Sequence, residues 1–149
     1  MEHLGSFYID GQWVTPQSGL TFPVMNPANE QQVGEIILGN GDDVDLAVAA
    51  AKRAFVTFSR STREERLALL DRLLQATRDR LDDLAQAMST EMGAPITMSR
   101  DAQADAGIGH LTGYIDALKA QQQRTTLDTG DIQVREPIGV CGLITPWNW

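Results

Sequence analysis

The spacing of apolar and polar positions changes along this chain, and each change predicts a different element. Phe7-Tyr8-Ile9 and Gln12-Trp13-Val14 are two β-favouring triplets around Asp10-Gly11, the strongest short-range signal for a hairpin. Thr21-Phe22-Pro23-Val24-Met25-Asn26-Pro27 is held extended by its two prolines, and Ala28-Asn29-Glu30 turns the chain into a second strand over residues 33–38. Together these pieces predict a small antiparallel apron that carries no obvious catalytic group.

From residue 39 the period lengthens to that of a helix. Gly39-Asn40-Gly41-Asp42-Asp43 is a breaker followed by capping residues, after which Val44, Ala47, Val48, Ala51 and Phe55 recur at helical spacing. A second, longer helix starts at Thr62, which forms a capping box with Glu65 while Glu64 sits in the positive first turn. Leu67, Leu70, Leu74, Leu81, Leu84 and Met88 are its buried stripe, and Arg66, Asp71, Arg78, Asp79, Asp82 and Asp83 its solvated face. Gly93 suits a left-handed cap, and Ala94-Pro95 stops the helix. A third helix is predicted over about residues 97–120, with Ala102, Ala106, Ile108, Leu111, Tyr114, Ile115 and Leu118 as an apolar band. His110 reads as a packed or partly exposed side chain, because no second His, Cys or carboxylate cluster completes a metal site around it. Asp128-Thr129-Gly130-Asp131 then turns, and Ile132 and Val134 alternate with Gln133 and Arg135 as a half-exposed strand.

The last stretch, residues 137–149, is uncharged, apolar and punctuated by Gly139 and Gly142, the pattern of a strand buried in a parallel sheet. Pro146 ends the ladder, and Asn148 stands between Trp147 and Trp149. Open α/β sheets bind ligands beyond the carboxyl ends of their strands, so an amide placed there is a candidate for chemistry. No cap or partner strand follows Trp149, and the expectation is a segment of something longer.

Composition removes several classes of function. A formal charge of −8 and a pI near 4.6 argue against nucleic acid or an anionic membrane as partner, since both select cationic stripes, and residues 1–51 contain no Lys or Arg. The single cysteine cannot form an internal disulfide, which fits a reducing cytoplasm, and no apolar run approaches the ~20 residues a membrane helix needs. At 149 residues the chain could still bury a core of its own, roughly 68–70% of the extended surface for a domain of that size.

The run Glu136-Pro137-Ile138-Gly139-Val140-Cys141-Gly142, followed by Ile144-Thr145-Pro146-Trp147-Asn148, closely resembles the first nucleotide-fold strand of the NAD(P)-dependent aldehyde dehydrogenases. Tyr8-Ile9-Asp10-Gly11-Gln12-Trp13, Asn26-Pro27-Ala28 and Glu91-Met92-Gly93-Ala94-Pro95 support it in the order and approximate spacing that family shows. The resemblance covers essentially the whole chain but only about the first third of a usual member. It implies an α/β, aldehyde-dehydrogenase-like fold: an amino-terminal part of the cofactor-binding domain over residues 1–118, oligomerisation arm strands over 119–136, and the first strand of the nucleotide-binding sheet over 137–149.

The resemblance also implies roles. Ile144, Thr145, Pro146 and Trp147 would wall the cleft for NAD or NADP, which this family binds without a Gly-x-Gly-x-x-Gly fingerprint, absent here too. Asn148 would donate its amide N–H to the oxyanion formed when a cysteine thiolate attacks an aldehyde. Glu91 and the carbonyl of Met25 match positions that hold a structural monovalent cation in some relatives. Cys141 is rejected as the nucleophile, because it lies inside the apolar strand without a neighbouring base and the family supplies its nucleophile far later in the chain. The expected whole is an oxidoreductase turning an aldehyde into a carboxylic acid, a homodimer or homotetramer, with this segment alone inactive. The alternative is a non-catalytic interaction or oligomerisation module derived from such an enzyme.

Overall fold

The computed structural model describes residues 5–145. The predicted hairpin forms with β1 (Phe7–Ile9) antiparallel to β2 (Gln12–Val14), in the register Phe7 to Val14, Tyr8 to Trp13 and Ile9 to Gln12. Its turn residues Asp10 and Gly11 have φ of 55° and 77°; two positive φ values match the right-handed twist of the flanking strands. The rings of Tyr8 and Trp13 face each other across the ladder with centroids 5.1 Å apart. A second hairpin pairs β3 (Thr21–Asn26) with β4 (Gln31–Ile37). Its turn is closed by Asn26, whose side-chain oxygen accepts from Ala28 N–H at 2.9 Å and whose carbonyl accepts from Glu30 N–H at 2.8 Å. The register slips between Val24 and Met25, leaving Val33 as the extra residue of a bulge.

Helix α1 (Gly41–Phe58) is capped by Asn40. Asn40 Oδ1 accepts from Asp43 N–H, and Asp43 Oδ2 accepts from Asn40 N–H, both at 3.0 Å. The other oxygen, Asp43 Oδ1, accepts from Gln17 N–H at 3.0 Å and so ties the linker between the hairpins to the start of the helix. Asp43 is only 4% exposed; each of its oxygens is occupied by a backbone donor.

The long second helix is two helices. α2 (Arg63–Asp79) opens with the expected capping box, Glu65 N–H to Thr62 Oγ1 at 3.1 Å and Thr62 N–H to Glu65 Oε2 at 2.7 Å. At Arg80 the backbone leaves the helical region, with φ −111° and ψ 14°, and α3 (Leu81–Met92) follows. A continuous apolar stripe cannot report such a bend, because leucines recur at the same spacing in both halves of the sequence. Gly93 then adopts φ 77° and donates to Ser89 O at 3.1 Å. The third helix starts one residue earlier than expected, as α4 (Ile96–Met98), and is wound into a π turn over Ser99–Ala104 before it continues as α5 (Asp105–Ala120). Arg100 anchors that turn to α3 through Asp82 at 2.7 Å. The hydrogen bonds to Asp82 and Asp101 raise its already high pKa, so its charge is permanent.

α2 packs on α5, and α3 packs on the π turn and on β3. Most of the buried side chains belong to those elements, Leu74, Ala85, Ser99, Gln103, Ala104, Ile115 and Leu118, with Asp43 and Ala50 buried on α1. Several positions assigned to buried stripes face outward instead, among them Val44, Leu84 and Tyr114. β5 (Arg124–Thr126) and β6 (Ile132–Val134) form a third antiparallel hairpin after α5.

Among the described residues, every strand belongs to one of these three two-stranded antiparallel sheets. The run from residue 137, expected as a strand of a parallel sheet, has no strand beside it among the described residues. Up to residue 145 the run is not in a ladder, and Ile138, Leu143 and Ile144 are 92%, 90% and 95% exposed. Its composition suits a strand, but a strand is completed by hydrogen bonds to a neighbour, and no element among the described residues supplies them.

Two stability predictions follow from the junctions. A Cβ on Gly93 would stand 2.6 Å from Pro27 Cγ in a backbone already at positive φ, so Gly93→Ala should lose about 1–3 kcal/mol, read as a lowered urea midpoint at unchanged slope. Asp43→Ala leaves the N–H groups of Gln17 and Asn40 without their acceptor and should lose a similar amount, about 1–3 kcal/mol; Asp43→Asn, which keeps one acceptor, should lose less in the same titration.

Candidate functional site

The site proposed by the sequence lies at the end of the chain, and the described residues include its approach. β6 ends at Val134, Arg135 donates its N–H to Gln123 O at 3.0 Å, and from Pro137 to Val140 the chain has no regular secondary structure, with Gly139 at φ 124°. Ile144 and Thr145, two of the four positions expected to wall a cofactor cleft, are both exposed. Pro146, Trp147 and Asn148 lie outside the described residues.

Cys141 departs from expectation. It is exposed instead of packed inside a strand, and its Sγ lies 3.9 Å from the carbonyl oxygen of Gly139. The argument for inertness from burial is withdrawn; the argument from a missing base stands, since that carbonyl cannot take a proton. His110 is exposed on α5, with Gly109, Leu111, Gly113 and Tyr114 around a shallow depression. No group of three or more His, Cys, Asp or Glu side chains able to hold a metal ion occurs among the described residues.

The two positions linked to a monovalent cation sit on elements that touch. Met25 is in β3 directly after the register slip, Glu91 is half-buried in the last turn of α3, and α3 packs on β3, with Gly93 against Pro27 where the two elements meet. One carboxylate together with carbonyl oxygens is a weak, oxygen-only donor set, suited to a monovalent ion far better than to zinc or another transition metal. What periodicity could not reveal is the pair Arg63 and Arg135, which reach main-chain carbonyls at the root of the third hairpin. Each looks like a solvated charge in sequence; only the fold brings them together.

A family model described as the aldehyde dehydrogenase family matches residues 13–149. The chain belongs to the aldehyde dehydrogenase family. It is 47% identical over its whole length to 3-succinoylsemialdehyde-pyridine dehydrogenase from a Pseudomonas species, of which it covers 31%. Among solved structures it is similar to aldehyde dehydrogenase C of Pseudomonas syringae, a complex with NAD+ and octanal, at 41% identity and TM-score 0.93 over 100% of this chain and 31% of that one. Aldehyde dehydrogenase from Bartonella henselae matches 85% of the chain and 26% of its own, at 36% identity and TM-score 0.82. The chain thus spans about a third of the length of these relatives, corresponding to their amino-terminal part. Its hairpins and helices are an incomplete α/β aldehyde-dehydrogenase fold, which explains how an apolar strand sequence comes to be exposed here. Among the described residues no helix is long and apolar enough to cross a membrane.

An exposed thiol without a base should react as an ordinary surface cysteine. Cys141 in the native 149-residue chain should be modified by a disulfide reagent at the rate of an unstructured cysteinyl peptide; protection in the folded chain would contradict the exposed environment described here.

Proposed function

We propose that this chain supplies the amino-terminal part of an oxidoreductase that converts an aldehyde to a carboxylic acid with NAD or NADP. The observation that carries the reading is full-length similarity, 41% identity at TM-score 0.93, to a dehydrogenase whose structure holds both NAD+ and an aldehyde. The chemistry divides between this segment and the remainder of the enzyme. Asn148 is assigned to the oxyanion: its amide N–H donates to the oxygen that becomes negative when a cysteine thiolate adds to the aldehyde carbon and forms the thiohemiacetal. An amide suits this task because it donates while remaining neutral at every working pH, and a donor held in place beforehand favours the charge that develops only as the bond forms. When bound, the nicotinamide supplies the hydride acceptor.

Ile144, Thr145, Pro146 and Trp147 are assigned to one wall of the cofactor cleft. The described pair is compatible with this role as a surface, since the Ile144 side chain is uncovered by any described residue and available to a planar or ribose face. Glu91 and the Met25 carbonyl are assigned to a monovalent cation that stiffens the contact of α3 with β3. Residues 1–118 read as part of the cofactor-binding domain, 119–136 as the arm and 137–149 as the first sheet strand. The isolated chain is inactive in this reading, because the nucleophile and the general base come from the rest of the enzyme.

A second reading is favoured by one observation, the third hairpin, whose strands are open to solvent on nearly all sides. In it the short chain is an interaction module that adds its strands to a full-length relative, and homodimers or homotetramers form in the same way in the complete enzyme. Co-migration with such a relative in size exclusion would support it, and independent migration would count against it.

In the complete enzyme, Asn148→Ala should lower kcat roughly a hundredfold or more, the effect of one lost oxyanion donor, with little change in the dissociation constant for NAD. Unchanged turnover under conditions where single-turnover measurements show chemistry to be limiting would remove Asn148 from the mechanism.

A further inference from the structure

The hairpin of β5 and β6 stands away from the body of the chain. Apart from half-buried Thr125 its strand residues are exposed, and its extensive packing is of one strand on the other. A two-stranded ribbon without apolar support has a fixed direction only if something at its root provides one. Two guanidinium groups meet there. Arg63, in the first turn of α2, donates from Nη2 to the carbonyl of Gln121, the residue that ends α5. Arg135, just past β6, donates from Nη1 to Gln122 O at 3.1 Å and from its backbone N–H to Gln123 O at 3.0 Å.

Three consecutive carbonyls, 121 to 123, are therefore taken up by two arginines that are 72 positions apart in sequence, 135 minus 63. The carbonyls that follow the last turn of a helix have no intrahelical partner, and a cation there is also favoured by the helix dipole. Arginine fits the role better than lysine: its planar fork presents several fixed donors and never loses its charge. Beside the root lies a polar cavity of about 630 Å³ lined in part by Arg60, Arg63, Arg66, Arg135, Glu64 and Glu136. The space leaves the ribbon room to swing on that side if the hydrogen bonds are released.

We propose that Arg63 and Arg135 are positioning residues, a guanidinium clamp that sets the direction of the β5–β6 hairpin relative to α2 and α5. The hairpin is then a fixed arm while the clamp is closed and a swinging one when it is open. This does not depend on the catalytic reading, since it concerns only hydrogen bonds within this chain.

Spin labels on the 149-residue chain test it. In a Cys141→Ser background, Asp128→Cys at the hairpin turn and Ala68→Cys on the exposed side of α2 carry the two labels, and pulsed dipolar spectroscopy reads their distance distribution. A single narrow distribution is expected, broadening severalfold in the double variant Arg63→Gln/Arg135→Gln while the helical circular dichroism stays the same. Arg135→Gln alone, which touches only the hairpin root, should give an intermediate width and keeps the test valid if the double variant loses helix. Arg60→Gln removes a cation from the same cavity without removing a clamp hydrogen bond and should leave the distribution narrow. A distribution that is broad in the parent, equally narrow after loss of both arginines, or broadened as much by Arg60→Gln would overturn the clamp.

Discussion

Every backbone N–H and C=O has to find a partner, and what divides this structure is how far along the chain each partner lies. The first two hairpins pair strands separated by short turns. The helices satisfy their own ladders and finish them with local side chains, Asn40 and Asp43 for α1, Thr62 and Glu65 for α2, and the left-handed Gly93 for α3. All of that is complete within the chain. Among the described residues, the run from 137 to 145 has mostly apolar side chains, pairs with no strand and is largely uncovered. Membership of the aldehyde dehydrogenase family accounts for the difference, because the relatives carry about twice as much additional chain as is present here.

The same division decides what could be read from the sequence. Asp10-Gly11 announced its hairpin because both positive φ values are demanded by the turn itself, and Thr62 with Glu65 announced a helix start because a capping box is closed within four residues. The break at Arg80 and the π turn at Ser99–Ala104 were not legible, since each is imposed by what the helix packs against: α3 lies on both the π turn and β3. Asp43 was legible as a capping residue, yet its second task, holding Gln17 from 26 residues away, was not. The closing run was legible as a strand pattern, and among the described residues it has no neighbour to pair with.

For the site, the sequence supplied residue identities more readily than surroundings. Glu91 and Met25 were singled out by resemblance, and the fold places their elements in contact through a glycine whose missing side chain leaves room for Pro27. Cys141 was read as enclosed in a strand, whereas in this chain it is exposed. Arg63 and Arg135 gave no signal at all, because a salt-exposed arginine and one that holds a main-chain carbonyl have the same sequence context. Long-range polar contacts of this kind follow from topology and leave no period behind.

The exposed run also has a kinetic meaning. Turns, hairpins and helix starts form in about a microsecond to tens of microseconds, and segments emerge from synthesis at only about 5–20 residues per second. The apron and the helices are thus finished long before any distant strand can arrive, whereas Ile138, Leu143 and Ile144 must wait in water for theirs. An unpaired apolar strand will accept any other strand as a neighbour, including another copy of itself, so this run is where the chain is open to self-association.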